Sequence, residues 1–143
     1  MKPANNSIQI ELHVPDFETV KEFYAKLGFL VVWERKPEGK KGYLVMKRDN
    51  NILSFWPGNE QVEKHSYFKN FPQDTKRGYG VEIVLMVEDI ENLYEKAQKI
   101  CKIVDKLQKQ PWGVRDFRIE DPFGFYLRFT EPHDILDEVN AVK

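Results

Sequence analysis

The chain is poor in cysteine, with Cys101 alone in 143 residues, so no disulfide can close within it and no thiolate metal site can be assembled from it. Long apolar runs are also missing. Nothing approaches the roughly 20 apolar residues that a membrane helix requires, and the opening MKPANNSIQIELHV lacks the apolar core of a secretory signal. These absences predict a cytoplasmic protein with no membrane partner. Neither charge sign is in excess: Lys+Arg number 22 and Asp+Glu 23, for a net charge of -1. Phosphate neutralisation needs a clustered cationic surface, so no nucleic-acid partner is expected. Histidines number three, and His65 and His133 show no ligand spacing from which to build a zinc site. Cys101, inside Ile100-Cys101-Lys102-Ile103, reads as a small core residue rather than a catalytic thiol.

What is present is an ordinary globular composition, 41% hydrophobic and 31% charged, in a length that suits one domain with a proper core. Positions 7–14, SIQIELHV, place Ile8, Ile10, Leu12 and Val14 on one face and Gln9, Glu11 and His13 on the other, the alternation of a half-buried strand. Pro15-Asp16 breaks the strand. Asp16 can cap a helix that carries Val20, Phe23, Tyr24 and Leu27 to Gly28. Three strand-like runs follow, FLVVWER, GYLVMKR and NILSFWP, separated by the turn-rich KPEGKK and DNN.

The same order returns 73 residues later, where Asp89 takes the place of Asp16. GVEIVLMV at 80–87 alternates again, and Ile90, Leu93, Tyr94, Ala97 and Ile100 follow at helical spacing. CKIVD, RDFRIED and FYLRFTE complete a second β, α, β, β, β set. A unit with a helix on one sheet face needs a partner for the other. The reading is therefore an α+β chain, one domain over 1–143, made of two tandem βαβββ modules forming a curved sheet around a cup-shaped cleft. Module one spans about 7–58, a connecting loop 59–79, module two 80–132 and a tail 133–143. The loop is polar with scattered aromatics and reads either as a functional or mobile segment or as a plain linker. The tail can form a short helix through Ile135, Leu136 and Val139.

SIQIELHVPDFETVKEFYAKLGF resembles the opening strand and helix of the vicinal oxygen chelate superfamily, which includes glyoxalase I, extradiol dioxygenases and bleomycin resistance proteins. QPWGVRDFRIEDPFGFYLRFTEP resembles the end of its second module, with Pro-Trp-Gly and Asp-Pro-x-Gly elements closest to the bleomycin-resistance branch. The resemblance implies a fold and not a substrate. Its catalytic members usually hold a divalent metal with His, Gln and Glu from the first and last strands of each module. Carried over one at a time, those positions fall on Gln9, Ser54, Glu82 and Arg128. An arginine offers no lone pair and repels a cation, so no metal and no other cofactor is expected, and Glu82 and Arg128 are expected to pair with each other. The pair reads as a structural ion pair or as a polar anchor for a ligand.

Alternation from Gln9 brings Glu11 and His13 into the same cleft, Met86 beside Glu82, Trp56 beside Ser54, and Tyr126 and Thr130 beside Arg128. Trp33, Trp56 and Trp112 can each be core or stack on a ligand, and Trp112, between Pro111 and Gly113, suits the rim. Ligand candidates are thus Gln9, Glu11, His13, Ser54, Trp56, Glu82, Met86, Trp112, Tyr126 and Arg128. Glu11 and His13 are also the catalytic candidates, as an acid–base pair with no identified nucleophile. By resemblance the chain is a metal-independent protein that sequesters a small molecule in the cleft of a homodimer. The alternative is a glyoxalase-like or dioxygenase-like enzyme using a divalent metal or the Glu11/His13 pair.

Overall fold

In a computed structural model, described over residues 7–38, 42–57, 62 and 64–137, contacts cluster into two compact units, Met1–Thr75 and Lys76–Lys143. The first unit runs β1 (Glu11–Val14), α1 (Phe17–Lys26), β2 (Leu30–Arg35), β3 (Tyr43–Arg48) and β4 (Asn51–Pro57), followed by a 3-10 turn at Phe68–Asn70. Its sheet has the order β1-β4-β3-β2. β1 lies parallel to β4, and the other neighbours are antiparallel hairpins. The parallel pairing is what a crossover through α1 permits.

α1 starts where Asp16 Oδ1 accepts the Thr19 backbone N–H at 2.7 Å. It ends in a Schellman motif: Phe29 N–H donates to Tyr24 O and Gly28 N–H to Ala25 O. Gly28 supplies the left-handed backbone this requires, at φ +87. Val20, Tyr24 and Leu27 of the helix side and Phe29, Leu44, Leu53 and Phe55 are all buried, with the Tyr24 ring 5.5 Å from Phe29 and 5.4 Å from Phe55. Leu12 and Val14 of β1 and Leu53 and Phe55 of β4 are buried on this helix side, which leaves the other face to Glu11, His13, Ile52, Ser54 and Trp56.

The second unit repeats the plan with β5 (Glu82–Met86), α2 (Ile90–Ile100), β6 (Ile103–Lys109), β7 (Arg115–Glu120) and β8 (Tyr126–Thr130), in the order β5-β8-β7-β6 with β5 parallel to β8. Ile83, Leu85, Val87, Ile90, Leu93, Ala97, Phe117, Ile119, Phe125, Leu127 and Phe129 are its buried core. The Phe117 and Phe129 rings stack at 5.3 Å. In the turn before β8, Asp121 Oδ1 accepts the Phe123 and Phe125 N–H groups at 2.9 and 2.8 Å, and Gly124 takes φ +98. That is the physical content of the Asp-Pro-x-Gly element.

The α+β reading with two βαβββ modules holds, with local corrections. β1 begins at Glu11, so Gln9 precedes the ladder, although Ser54 N–H still donates to Ile10 O at 3.1 Å. Asp89 stands at the start of α2 but makes no cap hydrogen bond; its Oδ2 accepts from Asn92 Nδ2 at 3.0 Å instead. Residues 133–137 form a turn and no helix, with Asp134 Oδ1 accepting the Leu136 N–H, because Ile135 and Leu136 are exposed and no apolar face is buried. Val139 lies outside the described residues. Cys101 is half-buried; its thiol meets Ala97 O at 3.3 Å, and burial pushes its pKa up. Among the described residues no helix is long and apolar enough to cross a membrane.

Candidate functional site

Each unit carries a polar group on the sheet face turned away from its helix. In the first, Gln9 Nε2 donates to the Tyr43 hydroxyl at 2.7 Å, and that hydroxyl donates to Glu11 Oε2 at 2.9 Å. Glu11 and Ser54 are register partners on β1 and β4. Burial raises the Tyr43 pKa; Ser54 opposes this, and the bond to Glu11 adds to it, because a phenol that donates to a carboxylate resists becoming an anion. The other Glu11 oxygen lies 3.4 Å from His13 Nε2. The unit thus links an imidazole, a carboxylate and a phenol in series.

His13 is also the centre of an aromatic group. Its ring lies 4.8 Å from Trp56, its register partner, 5.1 Å from Phe68 and 5.8 Å from His65. His65 Nδ1 accepts the Tyr67 backbone N–H at 3.1 Å, which leaves the ring proton on Nε2 in the neutral form. The segment after β4 is therefore packed onto the sheet around His13 rather than being a bare linker. Gln9, Glu11, His13, Ser54 and Trp56 are brought together, joined by three residues that pattern reading did not select: Tyr43, His65 and Phe68. Tyr43 had a signal, because the DNN turn pairs Val45 with Ser54 and alternation then puts Tyr43 on the Ser54 face. His65 and Phe68 had none, lying outside any periodic run.

The second unit's group is ionic. Arg118 Nε donates to Glu82 Oε1 at 2.6 Å, and its Nη1 lies 3.4 Å from Asp105 Oδ2. Arg128 Nε is 3.8 Å from the same Glu82 oxygen, and its Nη1 is 4.0 Å from Asp116 Oδ2. Asp116, only 1% exposed, accepts from Gln110 Nε2 at 2.7 Å through Oδ1. The expected Glu82–Arg128 ion pair is present at 3.8 Å but is the longer of two contacts to that carboxylate. Arg118, from a strand two places away from β5, reaches Glu82 first, while Arg128 stays beyond hydrogen-bond distance. Burial opposes the charge on Arg118, but Glu82 and Asp116 outweigh it and raise its pKa. Tyr126, the register partner of Glu82, has its pKa raised chiefly by burial.

Trp112 stands half-exposed in the turn between β6 and β7, beside Gly113 at φ +98. Trp33 is half-exposed on the edge strand β2, with its ring 6.3 Å from Tyr43. Met86 continues the Glu82 face of β5.

At the positions that the resemblance assigns to a metal, the donors do not suit a divalent ion. Glu82 is held by Arg118, and Arg128 brings a second permanent cation to the same carboxylate. Among the described residues no group of three or more His, Cys, Asp or Glu could hold a metal.

The family model for the Glyoxalase/Bleomycin resistance protein/Dioxygenase superfamily matches residues 7–129. No curated protein matches the chain significantly. Solved structures do. A bleomycin resistance determinant encoded on the transposon Tn5 is 20% identical at a TM-score of 0.63, over 91% of this chain and 100% of that one. A bleomycin-binding protein complexed with bleomycin is 20% identical at 0.58, over 90% and 100%. A lactoylglutathione lyase from Agrobacterium tumefaciens is 17% identical at 0.61, over 91% and 96%. At such identities the likeness is one of fold.

Proposed function

We propose that this chain, which belongs to the Glyoxalase/Bleomycin resistance protein/Dioxygenase superfamily, binds a small molecule on its polar sheet faces without a metal and without changing it chemically. The observation that carries this is the Glu82–Arg118–Arg128 cluster. A carboxylate that would be a metal ligand is neutralised by two guanidiniums, which leaves a surface able to hydrogen-bond an organic ligand and unable to act as a Lewis-acid site. The aromatic group around His13 and Trp56 offers stacking for a planar ligand. The ligand is of the kind that bleomycin-binding proteins sequester, although a net charge of -1 gives little long-range pull on a cationic drug.

A homodimer in the cytoplasm belongs to the same reading. Its support is the edge strand β2, which exposes Leu30, Val31, Val32 and Trp33 in succession, an apolar edge of the sort that proteins ordinarily cover.

The test is metal analysis of protein purified without chelator, together with bleomycin titration followed by tryptophan fluorescence. Substoichiometric metal with saturable quenching is expected. About one tightly held divalent ion per chain, or the absence of quenching, overturns sequestration of this ligand type.

A second reading has its own observation. The Tyr43–Glu11–His13 series is arranged as an acid–base group would be, which favours a glyoxalase-like activity. Lactoylglutathione formation that is lost in Glu11→Gln while the fold is kept would establish it; no turnover in the native protein removes it.

A further inference from the structure

We infer that Asp116 and Arg128 form a specificity site for an uncharged planar group presenting a hydrogen-bond acceptor beside a donor: a carboxamide, ureido or lactam group. The inference rests on the small-molecule-binding reading above and names the chemistry recognised in the second unit.

Two buried polar atoms carry it. Asp116 is 1% exposed; Oδ1 is satisfied by Gln110, while Oδ2 accepts no hydrogen bond from any described residue. Arg128 Nε is likewise buried with no acceptor among the described residues, since the nearest candidate, Glu82 Oε1 at 3.8 Å, is already taken by Arg118 Nε at 2.6 Å. Buried donors and acceptors are nearly always matched, so an unmatched acceptor and an unmatched donor on side chains that approach to 4.0 Å point to a third group. Arg128 Nη1 and Asp116 Oδ2 are 4.0 Å apart, too far to satisfy each other and near enough for one small group to serve both sides.

The surroundings select a neutral group. Arg118 and Arg128 are register partners on β7 and β8, and Glu82 and Asp116 lie between and beside them, so each guanidinium already faces a carboxylate. An added anion would meet Asp116. An added cation would meet two arginines. An amide places its carbonyl on the Arg128 donor and its N–H on Asp116 Oδ2, matching both atoms with no new charge.

The test uses the uniformly 15N-labelled full chain, reading the Arg128 Nε–H resonance, assigned through Arg128→Lys, as benzamide, benzoate and benzylamine are added. Benzamide is expected to shift it saturably and to bind at least about fivefold more tightly than either ion. Asp116→Asn, which can donate or accept, should weaken benzamide severalfold with an unchanged backbone spectrum. If that variant fails to fold, Arg128→Lys, read through the Gln110 side-chain amide, should show the same loss. Equal or tighter binding of benzoate or benzylamine, or an unmoved Arg128 resonance with all three, overturns the assignment. An unmoved resonance beside saturable bleomycin quenching removes only this specificity; failure of both removes the binding reading as well.

Discussion

The two units share a chain plan and differ in how they furnish the same sheet face. The first joins neutral and singly charged groups in series, from Gln9 through Tyr43 to Glu11 and His13, and surrounds the histidine with aromatic rings. The second packs Glu82, Arg118, Arg128 and Asp116 into an ionic cluster around one nearly inaccessible carboxylate. Duplication of a fold therefore duplicates the apolar side that α1 or α2 covers and leaves the opposite side free to diverge.

The largest break in that comparison is expected from Arg118→Met. Removing Arg118 takes the 2.6 Å partner from Glu82 and leaves it only the longer Arg128 contact, and denaturant unfolding should show a loss of about 2 kcal/mol. The matching change in the first unit, Tyr43→Phe, removes a hydroxyl bonded to Gln9 and Glu11 and should cost only about 1 kcal/mol. Equal losses would mean that the ionic cluster is no more demanding than the neutral series. The helix starts sharpen the contrast further. Asp16→Ala loses a 2.7 Å cap bond and should lower stability by about 1 kcal/mol, whereas Asp89→Ala, with no cap bond to lose, should cost a few tenths. A thermal melt of the two variants side by side decides it.

The smallest effects are pH limits of opposite sign. Arg115 holds the Glu131 carboxylate below its ordinary value of 4.5 through a side-chain hydrogen bond. The unfolded chain therefore binds the proton more readily, and this stabilisation is present above about pH 4.5 and fades as pH falls through the folded value. Glu131→Gln should flatten the acid side of the stability profile. In the first unit, Glu34 raises the Lys21 pKa above 10.5. That contribution is complete below the unfolded value and is lost as pH rises through the folded one, so Lys21→Met should flatten the alkaline side.

Much of the fold was legible because it rests on local rules. Alternation in SIQIELHV and GVEIVLMV, the Asp16 cap, and turn chemistry at Asp49-Asn50 and Asp121-Gly124 each act within a few residues. The candidate site was half legible for the same reason. Gln9, Glu11 and His13 share a face by strand geometry alone, and the DNN hairpin puts Tyr43 on the Ser54 face, but that Tyr43 bonds Glu11 across 32 positions and Arg118 bonds Glu82 across 36 leaves no periodic trace.

What the sequence determined by itself is the repeated βαβββ order and the division of each strand into an apolar and a polar side, because burial of that apolar side is rewarded wherever the chain folds. Which charge meets which was decided only in three dimensions. Glu82 had two arginines within reach, and the pairing of β7 with β8 brought both to it, Arg118 at 2.6 Å and Arg128 at 3.8 Å, with Arg128 also 4.0 Å from Asp116.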